Sequence, residues 1–331
     1  MTMKFLLTIL AISLTGAVAE CAPNSRPIPP GGGPTTVYVS MGMLDIDKID
    51  SADQSFTANL VVVVSWLDPR LSDKAGNTLP LSEIWHPRIQ FVNQQRIWET
   101  LPKEAKISSN GTVEYFQRVW GSFSQPIDLR EFPFDSQKFE SKIAAVGNTP
   151  ETVEFKQNPE IPSGVASDFS LPDWKVTGWK LDISPYAPLT PKRQTASAAL
   201  TITAKRYSSH YVLKIILPLV LIMAMSWIVF WIDPVEQGTQ IGVATTSMLT
   251  LIAYRFMIGG KLPPVPYLTR MDMFILGATF LVFLALLQSV VTSTMAKNGR
   301  RGLARKMDKI CRIAFPLAFG VVSYIAFATN I

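Results

Sequence analysis

The chain of 331 residues is predicted to fold as an all-β extracellular sandwich followed by an all-α transmembrane domain of four helices. Three observations predict this. The first 19 residues read as an export signal, residues 35–206 alternate in short apolar and polar runs, and residues 207–331 hold four apolar segments. A hydrophobic content of 48% and a mean hydropathy of +0.22 agree with a chain that is half soluble and half membrane.

The signal runs from Lys4 through an apolar stretch, Phe5 to Leu14, to the small residues Ala17, Val18 and Ala19, and cleavage is expected after Ala19. Cys21 raises the alternative of a lipoprotein, but Glu20 stands where a small residue would precede a lipidated cysteine. Residues 20–34 are expected to be a flexible leader, because their Pro and Gly content opposes packing. Gly31, Gly32 and Gly33 are no phosphate loop, since no strand precedes them and no Lys-Ser/Thr follows. Cys21 and Cys311, the only cysteines, are not expected to pair, so the exported domain must rest on its core.

From Thr35 to Arg206, runs such as SFTANLVVVVSWLD, GTVEYFQRVW and ASAALTITAKR have the period of strands and are broken by turns, the pattern of two packed antiparallel sheets. Asn110-Gly111 reads as a tight hairpin turn. Asn110-Gly111-Thr112 also matches a glycosylation acceptor, although the turn already accounts for these residues. Enzymatic chemistry has little support: the two histidines, His86 and His210, join no metal-spaced cluster, and no nucleophile sits in an elbow motif. No cofactor and no metal are expected. The net charge of +6 is dispersed except for one cluster between two apolar segments, which argues against a nucleic-acid partner.

The apolar segments lie at about 211–232, 238–258, 272–295 and 310–329, each near the length of about 20 residues that spans a bilayer. Between the last two, Lys297, Arg300, Arg301, Arg305, Lys306 and Lys309 outweigh Asp308 in a hinge that the positive-inside rule makes cytoplasmic. The β-domain and the C-terminus then lie on the far side of the membrane.

The second segment is unusually polar. In steps of four and three residues, Thr239, Gly242, Thr246, Leu249, Ala253 and Phe256 fall on one stripe, polar and small at its start and bulkier further on. A pore wall has this pattern. So does a buried helix whose hydroxyls bond back to their own carbonyls.

Three motifs carry a resemblance. Ser65-Trp66-Leu67-Asp68-Pro69-Arg70-Leu71, Trp85-His86-Pro87 leading into Phe91-Val92-Asn93, and Phe132-Pro133-Phe134-Asp135-Ser136-Gln137 stand in the order and spacing of the extracellular domain of pentameric ligand-gated ion channels. Gln125 and Phe139 replace the cysteines of the animal receptors, so the chain resembles the prokaryotic branch. Pro218, Leu262-Pro263, Pro266-Tyr267, Arg312 to Pro316 and the short hinge are also similar to that branch.

The resemblance implies a homopentamer in the bacterial inner membrane, gated by a small molecule or protons and conducting monovalent cations. Leu249 would form its mid-membrane ring. The chain runs slightly longer than its relatives between Trp231 and Leu249, which leaves open whether Glu236, with Asp233 nearby, occupies the selectivity ring. The family's ligand pocket lies under a hairpin, here Ile183 to Thr195, and implies Tyr186, Lys192 and Arg193 as ligand-binding candidates. Gly42, Val61 and Val146 stand where amine-gated members have aromatics, which argues against an amine agonist. At the domain junction the resemblance pairs Asp135 with Arg206, twelve residues before Pro218, and brings Pro133, Phe134 and Pro266 beside them together with the loop Asp45 to Asp53. The other classes weighed are a non-conducting membrane-anchored sensor or small-molecule-binding protein, and an exported hydrolase, which the missing catalytic constellation disfavours.

Overall fold

The computed structural model describes residues 24–187, 190, 193–259 and 265–328. The signal segment, Cys21, Lys192 and Leu262-Pro263 lie outside these residues.

Strand period and turn chemistry build the first half. β1 (Thr35–Asp50), β2 (Ser55–Leu67), β3 (Thr78–Pro80), β5 (Gln94–Glu99), β6 (Glu104–Ile107), β7 (Thr112–Ser124), β9 (Val153–Gln157) and β10 (Gly164–Val165) form one sheet. Its main path runs β10-β1-β2-β7-β6-β3, with β5 on β7 and β9 on β1. The second sheet has the order β11-β12-β8-β4, from β4 (Ile89–Phe91), β8 (Ser136–Ala145), β11 (Trp174–Tyr186) and β12 (Thr195–Arg206). Aromatic side chains from the inner faces close the space between the sheets. Phe56 and Phe123 of the first meet Phe139 and Phe91 of the second at centroid distances of 5.3 to 5.4 Å, and Trp174 continues the stack onto Phe139.

The Asn110-Gly111 turn joins β6 to β7. Gly111 has φ +80°, and a Cβ there would come within 2.6 Å of the Asp68 carbonyl oxygen, so the close approach of two loops admits only glycine.

The leader differs from its sequence reading. Residues 25–27 are tied to the sandwich while most of 28–33 stays exposed, because Pro and Gly oppose regular structure but do not prevent side chains from tethering a segment. Arg70 donates to the Ser25 hydroxyl and carbonyl, and Arg26 donates to Gly33 O, Thr35 Oγ1 and Thr152 O. Arg70 is itself held by both oxygens of the buried Asp68 carboxylate at 2.8 Å.

The second half consists of four long apolar helices, Ser209–Trp231, Gln237–Gly259, Arg270–Lys297 and Arg301–Ala328. Their lengths, at about 1.5 Å per residue, suffice for a hydrocarbon core of about 30 Å. A capping box starts the third: Thr269 Oγ1 accepts from the Asp272 amide, and Asp272 Oδ2 accepts from that of Thr269. Gly277 lets the third helix approach the fourth so closely that an added Cβ would collide with Val322. The basic hinge is shorter than the sequence indicates. The fourth helix already begins at Arg301, so Arg301, Arg305, Lys306 and Lys309 form its first turns, in keeping with the good helix propensity of Arg and Lys. Asp308, read from the sequence as a hinge counter-charge, is 1% exposed inside the bundle.

Candidate functional site

Three places collect the residues singled out by the sequence: the exposed face of the second membrane helix, the contact between sandwich and helices, and a cleft under the β11–β12 hairpin.

The second helix has two unlike faces. Gln240, Ala244, Ser247, Leu251, Tyr254 and Ile258 are buried against the rest of the chain. Turning by about 100° per residue, the stripe Thr239, Gly242, Thr246, Leu249, Ala253, Phe256 lies opposite, and each of these residues is exposed. Leu249 is 61% and Phe256 82% exposed. Hydroxyls on this helix also bond back to it: Thr246 to Gly242 O and Thr250 to Thr246 O, both at 2.8 Å. Back-bonding and exposure therefore coexist on this helix. A hydroxyl that satisfies its proton on the helix still presents its oxygen to what lies outside.

The buried face is fixed at both ends. Pro218 of the first helix has no N–H to offer the carbonyl four residues back, and the chain there is a π-helical turn over Val212–Ile216. The Tyr254 hydroxyl braces this turn, donating to Ile215 O at 2.7 Å and lying 3.4 Å from Lys214 O, the carbonyl that Pro218 cannot reach. At the other end Gln240 Oε1 accepts from the Ser293 hydroxyl at 2.6 Å, and its Nε2 lies 3.4 Å from Asp308 Oδ2. Gln237 donates to Ser293 O beside it.

Before this helix, Asp233 and Glu236 behave differently. Asp233 pairs with Arg305 of the fourth helix at 2.6 Å, and that hydrogen bond, with one from the Val235 amide, holds its carboxyl below the usual range. Glu236 is exposed, has no ion pair among the described residues, and contributes its carbonyl to the first helical turn through the Gln240 amide.

The junction is built on the Phe132-Pro133-Phe134-Asp135 loop. Arg206, the last residue of β12, donates Nε to Asp135 Oδ1 at 2.7 Å and Nη2 to Oδ2 at 3.1 Å, while its amide bonds the Asp135 carbonyl. The two side chains are 6% and 2% exposed. Aromatic rings close the remaining sides of the guanidinium, with Trp174 at 4.1 Å, Phe132 at 5.0 Å and Tyr211 at 5.9 Å. Gln137 donates to the second Asp135 oxygen, so the carboxylate is fully engaged. Phe132 packs edge-on against Tyr211 at the start of the first membrane helix, and Phe134 against Phe327 at the end of the fourth. Pro133 is buried between them.

Sequence reasoning placed the turn Lys261 to Thr269 here but chose Pro266 as its contact residue, and it missed Arg270 and Trp174. Pro266 is exposed, and its neighbour Tyr267 makes the contact instead: its hydroxyl accepts from the Leu129 amide at 3.0 Å and its ring lies 5.0 Å under Arg130. Arg270 bonds Glu131 at 3.0 Å, the Arg130 carbonyl and the Phe327 carbonyl. A signal for it existed, since an arginine in the first turn of a helix opposes the helix dipole and needs another reason to be there. Trp174 is the other. The loop after β1 joins less directly, through Gln54, which accepts from the Gln125 and Ile127 amides.

Under the hairpin, Tyr186 and Arg193 line one cleft of about 650 Å³ with Phe91, Val146 and Asn148. The Lys142 ammonium lies 5.4 Å over the Tyr186 ring, so a cationic side chain already occupies the face an amine ligand would use. Gly42 and Val61 pair across β1 and β2, away from this cleft.

Comparison with known proteins agrees with this anatomy. The profile of the neurotransmitter-gated ion-channel ligand binding domain matches residues 18–203, and that of the neurotransmitter-gated ion-channel transmembrane region matches residues 215–302. A proton-gated ion channel of Gloeobacter violaceus is 25% identical over 301 residues, covering 89% of this chain and 83% of that protein. The gamma-aminobutyric acid receptor subunit beta-4 of Gallus gallus is 27% identical over 298 residues, covering 85% of this chain and 60% of that subunit. With a β-sandwich followed by four helices long and apolar enough to span a membrane, and both family regions matched in that order, the chain is a multi-pass membrane protein of the pentameric, neurotransmitter-gated ion-channel family.

Proposed function

We propose that the protein is a homopentameric cation channel whose pore is lined by the second membrane helix of each subunit. The observation that carries the reading is that helix's stripe from Thr239 to Phe256, which is exposed among the described residues although the helix is long and apolar enough to cross a membrane. Lipid is a poor neighbour for Thr239, Thr245 and Thr246, whereas a ring of identical subunits turns the same face toward water. Leu249 then forms an apolar throat that stops ions by excluding water, and the Glu236 ring at the inner mouth favours monovalent cations. Arg255, exposed near the outer end of the helix, opposes cations there, so selectivity rests on the inner mouth.

The sandwich lies on the periplasmic side of a bacterial inner membrane, as does the C-terminus, and the basic start of the fourth helix is cytoplasmic. The stimulus is a small molecule in the Tyr186–Arg193 cleft, or protons. Force on the Asp135–Arg206 pair and on Pro133, Phe134 and the Pro266–Tyr267 segment passes to the outer end of the second helix. Recording from purified protein in a planar bilayer tests the reading. Unitary currents whose reversal potential follows the sodium gradient support it; anion selectivity removes the role of Glu236, and the absence of current under acid and small-molecule stimuli leaves a non-conducting sensor.

A further inference from the structure

A second cleft lies back to back with the first. It has a volume of about 440 Å³ and is formed where the tethered segment 24–26 meets the loop 81–88, and it shares Gly147 and Asn148 with the cleft beneath the hairpin. We propose that it is a binding site for a small organic carboxylate, held by the guanidinium groups of Arg88 and Arg26 and by His86.

The polar lining is made of donors. Among the described residues no carboxylate lines this cleft, and neither Arg88 nor Arg26 has an ion-pair partner within 4 Å. Arg26 uses Nη1 for three oxygens of the chain, which fixes its guanidinium in place. His86 Nδ1 accepts from the Arg88 amide at 3.2 Å, so the neutral ring carries its proton on Nε2 as a donor. Burial pushes the His86 pKa down, and the nearby charges of Arg88 and Lys103 add to that shift, so the ring is kept neutral. The lining is mainly polar, and Leu81, Ile84 and Trp85 add a smaller apolar part; a cleft of about 440 Å³ has room for a short carbon skeleton that a bare inorganic ion would leave unfilled.

The backbone supports the same assignment. Arg88 has φ +52°, a conformation unfavourable for a residue with a long side chain. It is held there by the Val146 amide on its carbonyl at 3.1 Å, while Asn148 donates to the adjacent Pro87 carbonyl at 3.0 Å. Strain kept at a charged, exposed residue is often a sign of a site. A carboxylate meeting the planar fork of Arg88 would also brace the 146–148 turn, a wall of the other cleft.

Isothermal titration of the full-length protein in nanodiscs with sodium succinate tests the proposal. Saturable binding is expected, weakened at least tenfold by Arg88→Gln and changed less than twofold by Arg193→Gln, which touches only the other cleft. Arg88→Asn is the second variant, because asparagine tolerates positive φ; it is expected to keep or raise the Tm while losing binding. The proposal is overturned by the absence of saturable binding, by a loss that follows Arg193 instead of Arg88, or by inorganic phosphate binding as tightly as succinate.

Discussion

Two ion pairs bracket the membrane domain, and their bond lengths hardly differ. At the outer end Arg206 and Asp135 meet at 2.7 Å, and at the inner end Arg305 and Asp233 meet at 2.6 Å. Their surroundings do differ. The outer pair is 6% and 2% exposed, bonded twice and boxed by aromatic rings, while the inner pair is 58% and 39% exposed. A short distance therefore says little about what a pair contributes. In the outer pair each charge, already out of water, depends on the other; in the inner pair water can replace either partner.

The largest expected effect is at the outer pair. Asp135→Asn or Arg206→Gln strands a buried charge, a change that can cost about 3 to 5 kcal/mol. Pentamer yield on gel filtration and the Tm should both fall. The double variant should be less damaged than the sum of the singles, with a coupling above about 1 kcal/mol. Additive losses would mean that Trp174, Phe132 and Tyr211 hold Arg206 without help from Asp135, and the contrast with the inner pair would disappear.

The next effect lies between the two ends. If the junction drives the pore helix, Leu249→Ser should ease opening without weakening the outer pair, since the changed side chain is on the face away from the Tyr254 and Gln240 attachments. Losing an apolar leucine contact is worth about 1.5 to 3 kcal/mol, so the half-activating stimulus should drop by about ten- to a hundredfold or the channel should leak at rest. Patch-clamp dose–response curves measure this, and wild-type curves would move the constriction elsewhere on the stripe.

How much of this arrangement the sequence reveals depends on the range of the interaction. The strands, the helices and the polar stripe are local periodicities, and Asp135 and Arg206 stand in motifs whose spacing carries a resemblance. The aromatic box is not local, because Trp174 reaches Arg206 only through the register of β11 on β12, which pairs those two residues directly. The contacts of Arg270 and Tyr267 are found only when two domains meet. The tether of residues 25–27 depends on Arg70, in a motif that the sequence marks without naming its partner. Asp308 misled for another reason: among six basic residues it reads as a solvated counter-charge, but the helix through Arg301 turns it inward onto Gln240.

A smaller effect separates the two acids that precede the second membrane helix. Glu236, exposed and unpaired among the described residues, should matter for selectivity and not for stability. Glu236→Gln should reduce the sodium-to-chloride permeability ratio, read from reversal potentials in a NaCl gradient, with the Tm unchanged. The same loss on Asp233→Asn, or an unchanged ratio in both, would show that the ring is not at Glu236.

The smallest effect should come from the inner pair itself, and pH gives it a sign. The Arg305 hydrogen bond lowers the Asp233 pKa in the folded state, so any stability from this pair is present above the unfolded carboxylate value of about 4 and fades as pH falls through the lower, folded value. Between pH 7 and pH 5 Asp233 keeps its charge, and Asp233→Asn or Arg305→Gln should leave the Tm and the pH of half-activation in that range unaltered. High salt should mimic the variants, since screening reaches exposed charges first. His86 titrates in a different window: burial, Arg88 and Lys103 hold its pKa below the ordinary value, so protonating it works against the folded state as pH drops below about 6.5. If acid opens the channel in this range, His86→Gln should shift the midpoint and Asp233→Asn should not. A midpoint that moves with Asp233 would mean that the exposed pair is tied to gating after all, and that burial is the wrong measure of which pair matters.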